Sequence, residues 1–192
     1  NYKQKKLYKM KNLFILKLVA LSLVFSSCEE EEIVQNTVTA KVQVIHNSAD
    51  LAAQTVDVYL NNDLLLDNFS FRTASPFVKV PAGEEITISI APSTSMSASQ
   101  SIVSYSYNLE ENNKYILIAS GHISPVGYSP LKNFSIEVCT VGREAATNAS
   151  NTDLLVFHGS TDAPTVDVVE TGVGAGTIVD NASYKDFTNY LE

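Results

Sequence analysis

The sequence predicts an all-β protein: an antiparallel, immunoglobulin-like β-sandwich followed in tandem by a second, truncated copy. Three observations predict it. After residue 33 helical periodicity is nearly absent, and apolar residues recur at every second position, the spacing that puts side chains on one face of a strand. Clusters of Asn, Asp, Gly and Pro punctuate these runs at short intervals, where chain reversals need them. A set of residues around position 46 also returns around position 158.

The N-terminal part follows a different pattern. Met10 is the first methionine, so residues 1–9 read as an upstream extension. Lys3, Lys5, Lys6, Lys9 and Lys11 form a basic region ahead of an apolar run from Leu13 to Phe25. Thirteen helical residues would span about 20 Å, short of a hydrocarbon core of about 30 Å. Residues 1–27 are therefore expected to be a signal peptide rather than a membrane span. The run closes on Val24-Phe25-Ser26-Ser27-Cys28, which resembles a lipobox, and Cys28 is the expected lipidation site. Several acyl chains on one cysteine hold a protein stably at a membrane, so the membrane is a partner through the anchor alone. With Cys28 used, Cys139 has no partner and no disulfide is expected. Glu29 to Glu32 repel one another, and residues 28–37 read as the lipidated cysteine with a solvated acidic tether. The acidic run resembles an export tag, which implies an outer-membrane lipoprotein displayed on the cell surface.

The expected first sandwich spans residues 38–141. Val38, Ala40, Val42 and Val44 alternate with polar residues, as do Val56, Val58 and Leu60, then Ile86, Ile88 and Ile90, and Phe134, Ile136 and Val138. Tyr115 to Ala119 is apolar at every position, which predicts a strand buried on both faces. Asn61-Asn62-Asp63, Pro81-Ala82-Gly83, Glu110 to Asn113 and Pro125 to Pro130 supply turns. Ser93 to Ser101 fits either a loop or an extended hairpin. The small, polar stretch 142–152 reads as a linker, and 153–192 as the start of the second sandwich. That piece is too short to close a core of its own, so it is expected to be poorly packed or to lean on the first.

The repeat aligns Val44-Ile45-His46-Asn47-Ser48-Ala49-Asp50 with Val156-Phe157-His158-Gly159-Ser160-Thr161-Asp162, and Thr55-Val56-Asp57-Val58 with Thr165-Val166-Asp167-Val168. Further on, Asp67-Asn68 answers Asp180-Asn181, Phe71 answers Tyr184 and Phe77 answers Tyr190. A period near 110 residues denotes tandem domains rather than a solenoid. The pattern His-x-Ser-x-Asp, then Val-Asp-Val, then a Pro-Ala-Gly turn, resembles the bacterial family called domain of unknown function 4397, from about Lys41 to Val141 and again from Asp153. The resemblance implies a secreted or lipid-anchored β-sandwich, often in tandem, with no established activity.

Charge excludes one class of partner. Residues 1–27 hold six of the 13 basic residues and no acid, leaving seven against 21 acids in the remainder. Such a surface repels phosphate backbones, so no nucleic-acid partner is expected. Candidate chemistry centres on His46 and His158, each at a strand end, with Asp57 and Asp167 following. A His–Asp pair can act as a base and its orienter, and Ser48 and Ser160 are the recurring hydroxyls nearest the histidines in sequence. The reading adopted is structural: His46, Ser48, Asp57, His158, Ser160 and Asp167 pin and cap loops. The third histidine, His122, shares no ligand spacing with the others, so neither metal nor cofactor is expected. Ser129-Pro130-Leu131-Lys132 matches Ser-x-x-Lys without the helix that motif needs, and Gly172 to Gly176 lacks the helix of a phosphate cradle. Tyr105 and Tyr107, with Tyr59 and Tyr128, offer either an aromatic binding surface or cross-strand packing. The expectation is thus a non-enzymatic cell-envelope lipoprotein binding an unidentified protein or glycan. A carbohydrate-binding accessory would need an exposed aromatic strip. A hydrolase using the His46 loop would need an open pocket there.

Overall fold

The computed structural model describes residues 38–172 and 174–192. The expected signal peptide, Cys28 and the expected acidic tether lie outside these residues. Among the described residues ten strands form, in order: β1 Thr39–His46, β2 Thr55–Leu60, β3 Asp63–Ser70, β4 Val78–Pro81, β5 Glu85–Pro92, β6 Val103–Asn108, β7 Lys114–Ser120, β8 Ser135–Cys139, β9 Val166–Glu170 and β10 Gly176–Ala182. Ser93 to Ser101, open between two readings in the sequence, is a loop carrying a 3-10 turn at Ala98–Gln100. Among the described residues no helix is long and apolar enough to cross a membrane.

Two four-stranded sheets, β4-β1-β7-β8 and β3-β2-β5-β6, pack face to face as a β-sandwich. Alternation decides what goes inside. Val42, Val44, Val80 and Leu117 from one sheet meet Val56, Val58, Ile86 and Ile88 from the other, and removing this apolar area from water is the main stabilising term. Asn61 (φ 54), Gly83 (φ 79) and Asn112 (φ 64) occupy the left-handed region at three of the expected turns, where Asn and Gly are tolerated best. One pairing departs from the antiparallel expectation: β1 and β7 run parallel, Val42 opposite Tyr115. Period two reports which face a residue takes and carries no information on strand direction.

β7 is buried on both faces, as its unbroken apolar run predicts. Tyr115 and Leu117 face the sandwich core. Ile116 and Ile118 face outward into a second cluster with Cys139, Ile45, Phe77, Leu155, Phe157 and Phe187. Residues 153–192 therefore lean on the outer face of the β4-β1-β7-β8 sheet. Within them β9 and β10 form a two-stranded sheet, while Leu154 pairs with Leu191 and Phe157 with Phe187. The stretch 142–152 has no strand or helix, yet it is tied down. Glu144 bridges Lys41 and Lys114 at 2.9 and 2.6 Å. Arg143 bonds Asp153 at 2.7 Å and lies over the Tyr190 ring.

Candidate functional site

His46 ends β1 in register with Ala40, Val42 and Val44, and so points into the sandwich, where it is 2% exposed. Its Nε2 lies 2.7 Å from the Ala53 carbonyl oxygen. A carbonyl only accepts, so Nε2 carries the hydrogen and Nδ1 is left to accept from the Ser48 N–H, at a longer 3.4 Å. Burial lowers the pKa of the ring, opposed in part by the Ala53 carbonyl, so the ring is neutral at pH 7. Phe69 and Phe71 flank it at 6.1 and 5.9 Å.

The space beside this ring is a void of about 10 Å³ among Val44, Ala53, Val56 and Phe69, room for one water at most. Ser48 is fully buried, and its hydroxyl donates to the Gly121 carbonyl at 2.6 Å instead of facing the imidazole. Asp57 sits between inward-facing Val56 and Val58, so alternation sends its carboxylate to the far side of the sheet from His46. There Oδ1 accepts the Asn68 N–H at 3.0 Å and Oδ2 accepts the Ser95 hydroxyl at 2.5 Å. The sandwich therefore does not bring His46 and Asp57 together.

The same bonds occur around His158. Its Nε2 donates to the Pro164 carbonyl at 3.0 Å, and its Nδ1 accepts the Ser160 N–H at 3.3 Å. Asp167 accepts the Asn181 N–H at 2.8 Å, as Asp57 does from Asn68, and both asparagines are left-handed. The main chain repeats too. His46 N donates to Thr73 O and Arg72 N to His46 O; His158 N donates to Asp186 O and Lys185 N to His158 O. Val44 N and Val156 N donate to the hydroxyls of Ser75 and Thr188. One difference stands out: Ser160 donates to the exposed Asp162 at 3.0 Å, whereas Ser48 bonds main chain across the fold. His158 also borders an open cleft of about 530 Å³, lined by Val156, Val166 and Val168 together with Phe71 and Arg72.

A larger polar centre lies at Asp50, which the motif includes but whose partners sequence spacing could not reveal. Asp50 is 1% exposed. It accepts from Ala52 N (2.9 Å), Ser124 N (2.6 Å), the Ser124 hydroxyl (2.9 Å) and the Tyr128 hydroxyl (3.0 Å). Burial pushes its pKa up, but these donors outweigh it and hold the carboxyl below its ordinary value. Tyr128 also stacks on His122, ring centroids 3.8 Å apart. Asp50 thus fastens the β7–β8 connection over the β1–β2 loop.

The tyrosines form no exposed strip among the described residues. Tyr59 is buried, its hydroxyl against Ser95. Tyr105 donates to the Phe134 carbonyl at 3.1 Å, and Tyr107 packs on the core with its pKa pushed up to about 12, chiefly by burial. β6 turns its large rings inward and leaves Ser104 and Ser106 outside, the arrangement that buries most apolar area. Among the described residues no group of three His, Cys, Asp or Glu is placed to hold a metal.

These features define a β-sandwich whose polar loop residues are bound to its own backbone and side chains. The chain belongs to the family described as domain of unknown function (DUF4397), whose model matches residues 40–151, from β1 through β8 and into the tied-down stretch beyond. No curated protein matches the chain.

Proposed function

We propose that this chain is an exported, lipid-anchored cell-envelope protein whose tandem β-sandwiches serve as a non-catalytic binding or assembly module. The observation that carries the non-catalytic part is that the motif's chemistry-bearing groups are already engaged: His46 through both ring nitrogens, Ser48 by the Gly121 carbonyl, Asp57 by Asn68 and Ser95. A general base and its nucleophile need to face each other and a substrate, and the 10 Å³ void beside His46 admits none. The tandem part is supported by the recurrence of these bonds at His158 and Asp167. The anchor is supported by the basic region, the apolar run and the position of Cys28. A protein ligand is favoured over a glycan, because Tyr59, Tyr105 and Tyr107 are spent on packing.

The test is protease shaving of intact cells expressing the protein, beside a Cys28→Ala variant. Release of the sandwich from cells, with shedding of the variant into the medium, is the expected result. Recovery of both proteins in the cytosol would overturn the export reading. A protein that resists shaving yet stays on the membrane through Cys28 would overturn surface display and direct the ligand search to envelope components.

A further inference from the structure

The two proposed copies meet in an unusual register. The Asn47 side chain donates to the Gly159 carbonyl at 3.0 Å across 112 residues of sequence, and these two are the same position in the two copies. Ile45 and Phe157, again one position, share a single apolar cluster centred on Ile116 and Ile118. A residue set against its own counterpart is what a two-fold axis passing between two bodies produces, and the surface around such an axis is self-complementary.

A two-fold requires every contact to have an image. Tyr184 bonds the Ser120 hydroxyl at 3.1 Å, and Lys185 reaches Ser135 at 2.6 Å and Glu137 at 2.8 Å. Their counterparts in the first copy are Phe71 and Arg72. Arg72 has the same left-handed backbone as Lys185, is exposed, and makes no ion pair among the described residues. Phe71 and Arg72 face the cleft of about 530 Å³, where the image of Ser120, Ser135 and Glu137 would stand.

From this we infer that the outer face of the β4-β1-β7-β8 sheet is a self-pairing surface, and that the partner it fits is a second copy of the same sandwich. In this chain residues 153–192 occupy it. Its centre is apolar (Ile45, Ile116, Ile118) and its rim is a cation–carboxylate pair, Lys185 with Glu137 here and Arg72 with Glu137 between two chains. The inference rests on the tandem reading.

The test uncovers the face in the full chain with Phe157→Asp/Phe187→Asp and measures mass in solution by light scattering. A dimer is expected. Adding Arg72→Glu should weaken it at least tenfold, since like charges then meet at both rims, and Arg72→Glu with Glu137→Lys should restore it. A monomer, or association indifferent to Arg72, overturns the pairing. If the double variant loses its cooperative melt, Phe187→Ala is measured by the same criteria. Overturning the pairing would leave the tandem reading standing. That reading fails separately, if His158→Leu does not destabilise residues 153–192.

Discussion

Replacing His46 with leucine keeps bulk in the core and removes both of the ring's hydrogen bonds. The Ala53 carbonyl, 2.7 Å from Nε2 on a residue 1% exposed, is then left without that donor. An orphaned buried polar group costs about 1–3 kcal/mol. The lost Ser48 contact and the altered packing against Phe69 and Phe71 add about 1 kcal/mol. The expected destabilisation is thus about 2–4 kcal/mol, read at pH 7.5 as a lower urea midpoint with an unchanged slope. The pH dependence supplies a second reading. Burial lowers the folded-state pKa of His46 below 6.5, so on acidification the unfolded chain takes up the proton first. The stability this group contributes is fully present above about pH 6.5. It falls as pH drops through that value towards the folded pKa, by at most about 1.4 kcal/mol per pH unit. His46→Leu should flatten that slope by one proton's worth. A cost below about 1 kcal/mol, or an unchanged pH slope, would refute the assignment of His46 as a buried, neutral loop pin.

Asp50→Ala leaves four donors unmatched at the β1–β2 loop. It should cost about 3–4 kcal/mol and open residues 121–130 to limited proteolysis. Because the Asp50 pKa is lowered in the fold, its contribution persists above the unfolded value near 3.8 and fades only as pH falls through the folded pKa. Its acid limb therefore lies well below that of His46, and a pH series of melts on both variants separates them. Gly121→Ala would set a Cβ 2.4 Å from the Asn133 carbonyl oxygen at φ +83, and a melting temperature lower by about 10 °C or more is expected. Glu144→Gln breaks the exposed contacts to Lys41 and Lys114. It should leave the melting temperature nearly unchanged while speeding proteolytic cleavage within 142–152.

What the sequence made legible is what alternation and turn chemistry encode. The faces of β1, β2, β5 and β7 could be read directly, because Val42, Val58, Ile88 and Leu117 each sit two residues from another inward side chain. β3 escaped notice: its burial is irregular, and register shifts along its pairing with β2 break the period. The tyrosine surface needed depth as well as periodicity. Tyr105 and Tyr107 do share a face, but only packing shows that the face is the inner one. The Asp50 centre was out of reach for another reason. Ser124 and Tyr128 lie more than seventy residues away in a stretch whose composition signals only a turn.

The contrast between the two histidine loops shows which parts of the motif are local. Every bond that recurs at His158 has its first-copy counterpart among residues of β1 to β3 and the connections up to β4. Asp50 and Ser48 need the β7–β8 connection: Ser124 and Tyr128 for one, Gly121 for the other. At the equivalent positions Asp162 is exposed and takes its hydrogen bond from Ser160 beside it. The histidine therefore fixes the loop through local partners, and the aspartate fastens the closing connection over it. The space beside the His46 ring is accordingly a void of about 10 Å³, and beside His158 a cleft of about 530 Å³. One short motif thus holds both a local loop and a distant connection, which is a physical reason for its polar residues to recur.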